Sequence, residues 1–350
     1  MDGNFTNKVL QVGTEGGEKI TISVDSVASD ALGAYTFDST GIVATSHAST
    51  LANAATGGSV SIMGKGQSET FTIAAGASAQ TVAGQVNAVT GTTGVSAIAK
   101  TYAKIEFTGT AATYNIKLNG TSVGSFTASS GDNGANDAVA KVNAVSGTTG
   151  ITATADGSNA LILYHSAGAD IKVDSMSTDT NADFTLYALG MDGKTVANSD
   201  SGQSLNEAGG TLDIGLVVGN LTLTSSSLFS VVDGASNYFA TNSGSLSDVS
   251  TISLRTQAGA DAAIAVIDGA IEKVSSMRAG LGAIENRLQH TVSNLMNVAE
   301  NTSDSKSRIY DADFSVESAN LARAQVLQQV GAAMLTQANA RPQLVLQLLQ

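Results

Sequence analysis

A long apolar repeat near the end of the chain constrains the fold more than any other feature of the sequence. Between Ile264 and Ala299, apolar residues recur at spacings of three and four positions, with some steps left out. Arg278 and Glu285 interrupt the series. A repeat near 3.5 residues places these side chains on one face of a helix that requires a helical partner. We therefore predict a helical rod within 246–300, with this apolar series as its contact face. The series consists of Ile264, Ile267, Ile271, Val274, Leu281, Leu288, Val292, Leu295 and Ala299.

The rod is expected to end where polarity rises. Residues 301–308 contain no apolar side chain, so 301–312 is predicted to be a linker. A second helix, the tail at 313–350, should begin at Asp311 or Asp313, because either carboxylate can cap a helix N-terminus. Pro342 is expected to bend or end the tail helix.

The tail is rich in apolar residues but has many glutamines between them. The apolar residues expected to make contacts are Phe314, Leu321, Leu327, Val330, Met334, Leu335, Leu348 and Leu349. One interpretation is that rod and tail fold back on their own domain. The other is association with further chains, since no helix of matching length is predicted upstream and a long unpartnered apolar stripe favours association.

The same region resembles the C-terminal part of bacterial flagellins. Residues 278–288 (RAGLGAIENRL) are similar to the inner-helix motif, and residues 308–314 (RIYDADF) to the segment before the tail. The order and spacing of motifs match through 334–349. The resemblance implies coiled-coil layers built from both chain ends, with variable domains between them. It adds Asn286 and Arg287 to the residues expected at an assembly interface.

The beginning of the chain departs from the family pattern. Residues 1–13 resemble the point in flagellins where the N-terminal helices have ended and a hairpin begins. We therefore expect 1–45 to be a hairpin remnant of the rod domain, and the sequence to be a fragment whose N-terminal helices lie before Met1. Alternation predicts strands at 9–12 and 20–24.

A repeat dominates the middle of the chain. Residues 85–95 (QVNAVTGTTGV) recur as 141–151 (KVNAVSGTTGI), and each copy follows a pair of alternating strands. Each unit is predicted to contain a hairpin, one helix and a strand, with the helices at 79–89 and 136–145. Gly91 and Gly147 are expected to end these helices, and Asn119-Gly120 to form a hairpin turn.

These units resemble the ββαβ insertion modules of flagellins and hook-associated proteins. We assign them to 46–110 and 111–190, followed by a returning β segment at 191–245. Because both repeats look self-contained, residues 57–190 are expected to be removable as a block. The predicted fold class is α+β: long coiled-coil-type helices, in a discontinuous rod and tail, carry a mostly β variable region with two ββαβ modules.

Composition excludes several function classes. The net charge is −13 with only 13% charged residues, which argues against nucleic acid because phosphate binding requires basic patches. The chain contains no cysteine, so it has no disulfides or thiolate metal sites. No apolar run is long enough to span a membrane. Residues 1–4 do not resemble the start of a signal peptide.

Catalytic and metal-binding signals are weak. His47, His165 and His290 are far apart, and Gly64-Lys65-Gly66 lacks the spacing of a phosphate loop. The acidic residues near one another in sequence lack the spacing and closing glutamate of a calcium loop, although calcium binding stays open. We expect no enzyme activity, cofactor or metal. The acidic residues considered for calcium binding are Asp170, Asp174, Asp179 and Asp183.

The resemblance implies a structural subunit that polymerises through its terminal helices into the flagellar filament used for motility. It implies secretion through the flagellar export apparatus, with self, an export chaperone and a cap protein as partners. Recognition by the innate flagellin receptor would be weakened without the N-terminal helices. The alternatives are a cell-surface adhesin or glycan-binding module, in which the β modules do the work, and a hook–filament junction protein with similar helical ends.

Overall fold

The chain forms two compact units, which are described separately. The first unit contains Met1–Thr6 and Ser23–Gly280, and the second contains Asn7–Ile22 and Leu281–Gln350. The computed structural model describes residues 3–13, 17–39, 42–46, 51–108, 112–128, 134–157, 160–176, 182–197, 202–205, 213–239, 242–311 and 313–347.

Strands make up most of the first unit. They are β3 (Gly33–Asp38), β4 (Ile42–Ser46), β5 (Gly58–Gly64), β6 (Gln67–Ile73), β7 (Ser96–Phe107), β8 (Ala112–Leu118), β9 (Thr121–Ala128), β10 (Ile151–Ala155), β11 (Ala160–His165), β12 (Ile171–Ser175), β13 (Phe184–Leu189), β14 (Gln203–Leu205), β15 (Ile214–Val218), β16 (Asn220–Ser225), β17 (Phe229–Asp233), β18 (Asn242–Ser243) and β19 (Ser245–Asp248). The second unit has β1 (Lys8–Gln11) and β2 (Lys19–Ile22).

The helices are fewer and of two lengths. They are α1 (Ala79–Ala88), α2 (Thr90–Thr93), α3 (Gly134–Ala144), α4 (Ser146–Thr149), α5 (Gln257–Tyr310) and α6 (Phe314–Gln347). This mixture of sheets and long C-terminal helices confirms the α+β fold class.

Three antiparallel sheets organise the first unit. The largest has the order β10-β11-β7-β16-β3-β19, with β13 pairing both β7 and β14. The second has the order β4-β15-β12-β8-β9, and the third β18-β17-β5-β6. The long strand β7 is the centre of the fold, because it pairs with β11, β13 and β16.

The repeated sequence folds twice in the same way. Asn87 donates its Nδ2 to Ala97 O at 2.9 Å and accepts Ala97 N at 2.8 Å. Asn143 does the same with Ala153, at 3.0 and 2.8 Å. Each asparagine thus joins its helix to the strand that follows it, which explains why the repeat contains Asn at this position. The Asn119-Gly120 hairpin turn is confirmed, with φ of 48° and 83°.

The glycines expected to end the two repeat helices do not do so, because α1 ends at Ala88 and α3 at Ala144. Gly91 and Gly147 lie inside the short helices α2 and α4. Gly94 and Gly150 follow those helices with φ of 69° and 70°. The left-handed region favours glycine because it has no Cβ, so the second glycine of each GTTG motif is the one that the backbone requires.

The two repeats share sheets instead of forming separate domains. Strand β11 of the second repeat pairs with β7 of the first, and β12 pairs with β15 of the returning segment. Removing 57–190 would therefore take partner strands from β15, β16 and β17. The expectation that this block can be removed is at odds with the topology, since strand pairing is not local in sequence.

Each repeat helix nevertheless covers its own apolar core. Helix α1 contributes Val82 and Val86 to a core with Val60, Ile62 and Leu221. Helix α3 contributes Ala138 and Val142 to a second core, whose aromatic members include Tyr114 and Phe126 with ring centroids 5.7 Å apart. The larger members of this core are Ile105, Tyr114, Phe126, Leu161 and Phe184.

The first turns of α5 belong to the first unit. Ala263, Val266 and Ala270 are buried, and a Cβ added at Gly269 would lie 2.7 Å from Ala34 Cβ. Small residues therefore allow the helix backbone to come close to β3. Around this contact, Lys100 Nζ lies 2.8 Å from Asp261 Oδ2, Lys65 Nζ lies 3.4 Å from Glu272 Oε1, and Lys273 Nζ donates to Ala31 O at 2.8 Å.

Helix α5 continues through most of the stretch predicted to be a linker. It ends at Tyr310, so the linker prediction for 301–312 is wrong over its first ten positions, 301–310. The stretch contains no Gly or Pro, and polar residues lower helix stability only slightly. Thr302 Oγ1 donates to Val298 O and Ser305 Oγ to Asn301 O, both at 2.7 Å, so these hydroxyls bond within the helix.

Helix α6 begins as predicted but ends later. Asp313 Oδ1 accepts Ser315 N at 2.9 Å, which confirms Asp313 as the cap. Pro342 lies inside the helix, which continues to Gln347. Proline removes one main-chain hydrogen bond, and the helix-forming residues on both sides continue the helix past it.

Candidate assembly interface

The predicted contact series begins on an exposed face of α5. Ile264, Ile267 and Ile271 are 61%, 43% and 59% exposed. Each isoleucine directly follows a residue of the buried face of α5, so its side chain is rotated from that face by about 100° around the helix. The domain therefore buries the small residues Ala263 and Ala270 and leaves the larger isoleucines accessible. Val274 is half-buried.

The second unit contains an apolar groove. The groove has a volume of about 600 Å³, and its apolar lining consists of Ile22, Leu281, Ile284, Leu288 and Val292. Strand β2 of the hairpin supplies Ile22, and α5 supplies the others. Leu281, Leu288 and Val292 were predicted contact residues, so the structure brings them to one surface.

Polar residues also line this groove, while some residues of the predicted assembly interface lie outside it. Glu285, Gln289 and Ser293 take part in the lining. Asn286 and Arg287 are exposed and are not among the lining residues. Leu295 is half-buried, one turn beyond Val292. An apolar groove with polar neighbours is the shape that an amphipathic helix fills.

The hairpin residue Ile22 was missing from the predicted interface. It follows Ile20, which is only 2% exposed, in the strand KITI. The alternation of apolar and polar residues in this strand showed that one face would be covered. It did not show that Ile22 would line a groove with the helix bearing Leu281, because the two segments are far apart in sequence.

The tail helix α6 has no buried side chain among its described positions, which extend to Pro342. Phe314 and Leu321 share one side, while Leu327, Val330 and Met334 lie on the opposite side, as 100° per residue requires. A helix that is apolar on all sides is normally surrounded by protein. The exposed fractions are 84% for Phe314, 60% for Leu321, 65% for Leu327, 53% for Val330, 65% for Met334 and 67% for Leu335. The predicted contacts Leu348 and Leu349 lie outside the described residues.

The histidines have structural surroundings where they are described. His165 Nδ1 accepts hydrogen bonds from Ala167 N and Ala169 N, both at 3.3 Å, and burial lowers the pKa of His165. His290 is exposed on α5. His47 lies outside the described residues.

The acidic residues considered for calcium have other contacts. Asp170 Oδ2 accepts Asn53 Nδ2 at 2.7 Å, and Asp174 Oδ1 lies 3.1 Å from Lys172 Nζ. Asp183 contributes its main-chain O to Thr108 and Tyr114, and Asp179 is not described. Within the described ranges, no three His, Asp or Glu side chains form a group that could hold a metal ion.

Comparison with known proteins gives this helical surface a context. Residues 264–349 match the model of the bacterial flagellin C-terminal helical region, and residues 59–111 match that of the flagellin hook IN motif. B-type flagellin of Pseudomonas aeruginosa is 36% identical over 234 residues, which are 65% of this chain and 47% of that protein. Both matched regions of this chain are therefore similar to parts of bacterial flagellins.

Other flagellins match over shorter ranges. Flagellin D of Vibrio cholerae serotype O1 is 39% identical over 146 residues, covering 42% of this chain and 37% of that protein. Polar flagellin A of Vibrio parahaemolyticus is 46% identical over 101 residues, which are 29% of this chain and 27% of that protein. The chain thus spans less than half the length of these flagellins.

Both family matches fall on elements whose folds are described above. The hook IN match covers the first repeat from β5 to the end of β7. The C-terminal match begins at the exposed Ile264 and includes the α5 part of the groove and all of α6. Among the described helices, none is long and apolar enough to cross a membrane.

Proposed function

We propose that this flagellin chain is a structural subunit that polymerises through its helical region into the bacterial flagellar filament. The observation that carries the proposal is the set of exposed apolar side chains on α5 and α6, which extends from Ile264 to Leu335 within the range matched to the flagellin C-terminal region. Filament formation gives such a surface a partner in every neighbouring subunit. The same proposal places the protein outside the cell, in the flagellum, with motility as its purpose.

The energetics of this surface suit assembly. Burying one large apolar side chain contributes roughly 1.5–3 kcal/mol. Association costs on the order of 4–15 kcal/mol in lost freedom. The exposed residues Ile264, Ile271, Phe314, Leu321 and Leu327 alone could offset that cost if neighbouring chains covered them.

Different parts of the surface suit different partners. The groove at Leu281 and Leu288 suits a single amphipathic helix, which we assign to the N-terminal helices that the family resemblance implies. The tail α6, apolar on all sides, suits a position surrounded by tails of other subunits. We therefore propose Asn286 and Arg287, exposed outside the groove, as contacts between subunits.

Further partners follow from the resemblance to flagellins alone. We include an export chaperone and a cap protein among the proposed partners. We also include the innate flagellin receptor, with weaker binding if the N-terminal helices are absent. The flagellin relatives favour a filament subunit over an adhesin, a glycan-binding module or a hook–filament junction protein.

The test is a charge placed in the groove. Leu288→Asp in the bacterial gene should abolish filaments and swimming, because a buried unpaired carboxylate costs several kcal/mol. Asn297→Asp, at an exposed position of the same helix outside the groove and the predicted interface, is the matched control. Filaments are scored by electron microscopy and secreted protein by immunoblotting. Normal filaments from the Leu288→Asp strain would contradict the proposed interface.

A further inference from the structure

Two tyrosines from the two repeats lie face to face on the largest sheet. Tyr102 of β7 and Tyr164 of β11 are directly opposite in the antiparallel register. Their ring centroids are 4.6 Å apart with an interplanar angle of 24°. Both side chains are half-buried, so the rings are constrained by neighbours and remain accessible to small reagents.

The surrounding structure holds this pair in place. On the Tyr102 side, a Cβ added at Gly193 would lie 2.9 Å from the Cδ1 and Cε1 atoms of the ring. The backbone at Gly193 therefore lies directly against Tyr102, whose ring also stacks on that of Tyr164.

We propose that Tyr102 and Tyr164 form an oxidative cross-linking site that yields an intramolecular dityrosine. Each phenol loses one electron and one proton, which gives two phenoxyl radicals. A carbon–carbon bond then forms between a Cε of each ring, and both rings regain aromaticity by moving the Cε hydrogens to the oxygens. With a haem peroxidase as catalyst, one hydrogen peroxide takes up the two electrons and two protons and becomes two water molecules.

The geometry favours coupling within this pair. The carbons that join in dityrosine are next to the hydroxyl-bearing carbons, and the stacking of the two rings at 4.6 Å already holds the rings in contact. A radical on either ring therefore has its coupling partner in contact, which replaces a bimolecular encounter by an intramolecular step. Burial, followed by the charge of Tyr164, raises the pKa of Tyr102 to about 12. At neutral pH the phenol is protonated, so its electron and proton leave together.

Other tyrosines of the first unit are less suited to coupling. Tyr114 and Tyr238 are fully buried. Tyr187 has Lys104 Nζ 5.5 Å from its ring centroid, and a Cβ added at Gly202 would lie 2.3 Å from its Cε1. Tyr310 of the second unit is 84% exposed, so it is the main site for coupling between different chains.

The cross-link would have a structural consequence. The chain has no cysteine, so no disulfide can tie its strands together. A bond between Tyr102 and Tyr164 would join β7 of the first repeat to β11 of the second. Because a cross-link limits the freedom of the unfolded chain, the cross-linked sheet should unfold at a higher temperature.

The experiment uses the full chain carrying Tyr310→Phe, which removes the exposed site for coupling between chains. The protein is treated with horseradish peroxidase and limiting hydrogen peroxide at neutral pH. Intact mass, dityrosine fluorescence and peptide mapping are then recorded. The expected product is a monomer that has lost two hydrogen atoms and yields one cross-linked peptide containing Tyr102 and Tyr164.

Matched variants separate this pair from other sites. Tyr164→Phe should remove the intramolecular product while keeping the ring, and circular dichroism checks that the fold is retained. Tyr187→Phe should leave the yield unchanged. The proposal is overturned if no peptide joining Tyr102 and Tyr164 forms, or if Tyr164→Phe gives the same yield of monomeric dityrosine.

Discussion

Asn143 holds Ala153 through two hydrogen bonds, one to its main-chain O at 3.0 Å and one from its N at 2.8 Å. Ala153 lies in β10, an edge strand of the largest sheet. The asparagine side chain therefore occupies the edge where another strand would otherwise pair. The same arrangement joins Asn87 to Ala97. Both copies of the repeat therefore attach their helix to the following strand through the same pair of hydrogen bonds.

Replacing this asparagine should lower the stability of the first unit. Asn143→Ala leaves two main-chain groups of Ala153 without these partners, at a cost of about 1–3 kcal/mol. Urea unfolding monitored by circular dichroism should show a lower midpoint with an unchanged slope. Lys141→Ala, on an exposed position of the same helix, should change the free energy of unfolding by less than about 0.5 kcal/mol. Equal midpoints for the two variants would show that the hydrogen bonds do not matter.

The two glycines of the second GTTG motif should respond oppositely to alanine. Gly150 has φ of 70°, and an added Cβ would lie 2.7 Å from His165 Nε2. Gly150→Ala should therefore cost about 1–2 kcal/mol. Gly147 is helical with open space around it, so Gly147→Ala should stabilise by up to about 1 kcal/mol. Thermal unfolding measures both variants, and shifts of the same sign would disprove the assignment.

Strand topology predicts where the variable region can be cut out. Thr36 of β3 pairs with Ser245 of β19, so Asp38 can be joined to Ser243 by a two-residue Asn-Gly turn. This deletion keeps the pair β3–β19 and the contact of Ala34 with Gly269. Soluble expression and electron microscopy of filaments from the modified gene provide the measurement.

Deletion of 57–190 is the comparison for this experiment. It removes one of the neighbouring strands of each of β15, β16 and β17 and exposes unpaired sheet edges, which promote aggregation. We expect it to give insoluble protein and fewer filaments than the cut at Asp38 and Ser243. If the 57–190 deletion assembles as well as the deletion that joins Asp38 to Ser243, the shared sheets are not required for assembly.

The tail helix should gain protection when subunits assemble. All described side chains of α6 are exposed as far as Pro342, and a helix without packing partners is only marginally stable in water. Amide hydrogen exchange should be fast from Phe314 to Arg341 in the monomer and slow in filaments. The buried turn at Ala263 to Ala270 provides the internal reference, because its exchange should be slow in both. Slow tail exchange in the monomer would contradict this prediction.

Local patterns were enough to predict many elements of this fold. The hairpin at Asn119-Gly120, the helix α1 and the cap at Asp313 follow from turn chemistry, periodicity and capping, which act over a few neighbouring residues. The repeat at 85–95 and 141–151 predicted two similar units for the same reason. The long apolar series predicted the helix that carries Leu281 and Leu288.

The sequence by itself determined the α+β class, the repeat and the apolar helical surface, because each is written in spacings along the chain. Only the tertiary structure decided that β7 joins the two repeats and that Ile22 borders the groove, because strand partners and neighbouring elements are chosen by contacts between distant residues. It also decided that α5 is buried through Ala263 and Ala270. The close approach of α5 to β3 at Gly269 requires small side chains on the buried face. The larger Ile264 therefore lies outside that face, where it is accessible for contacts with other chains.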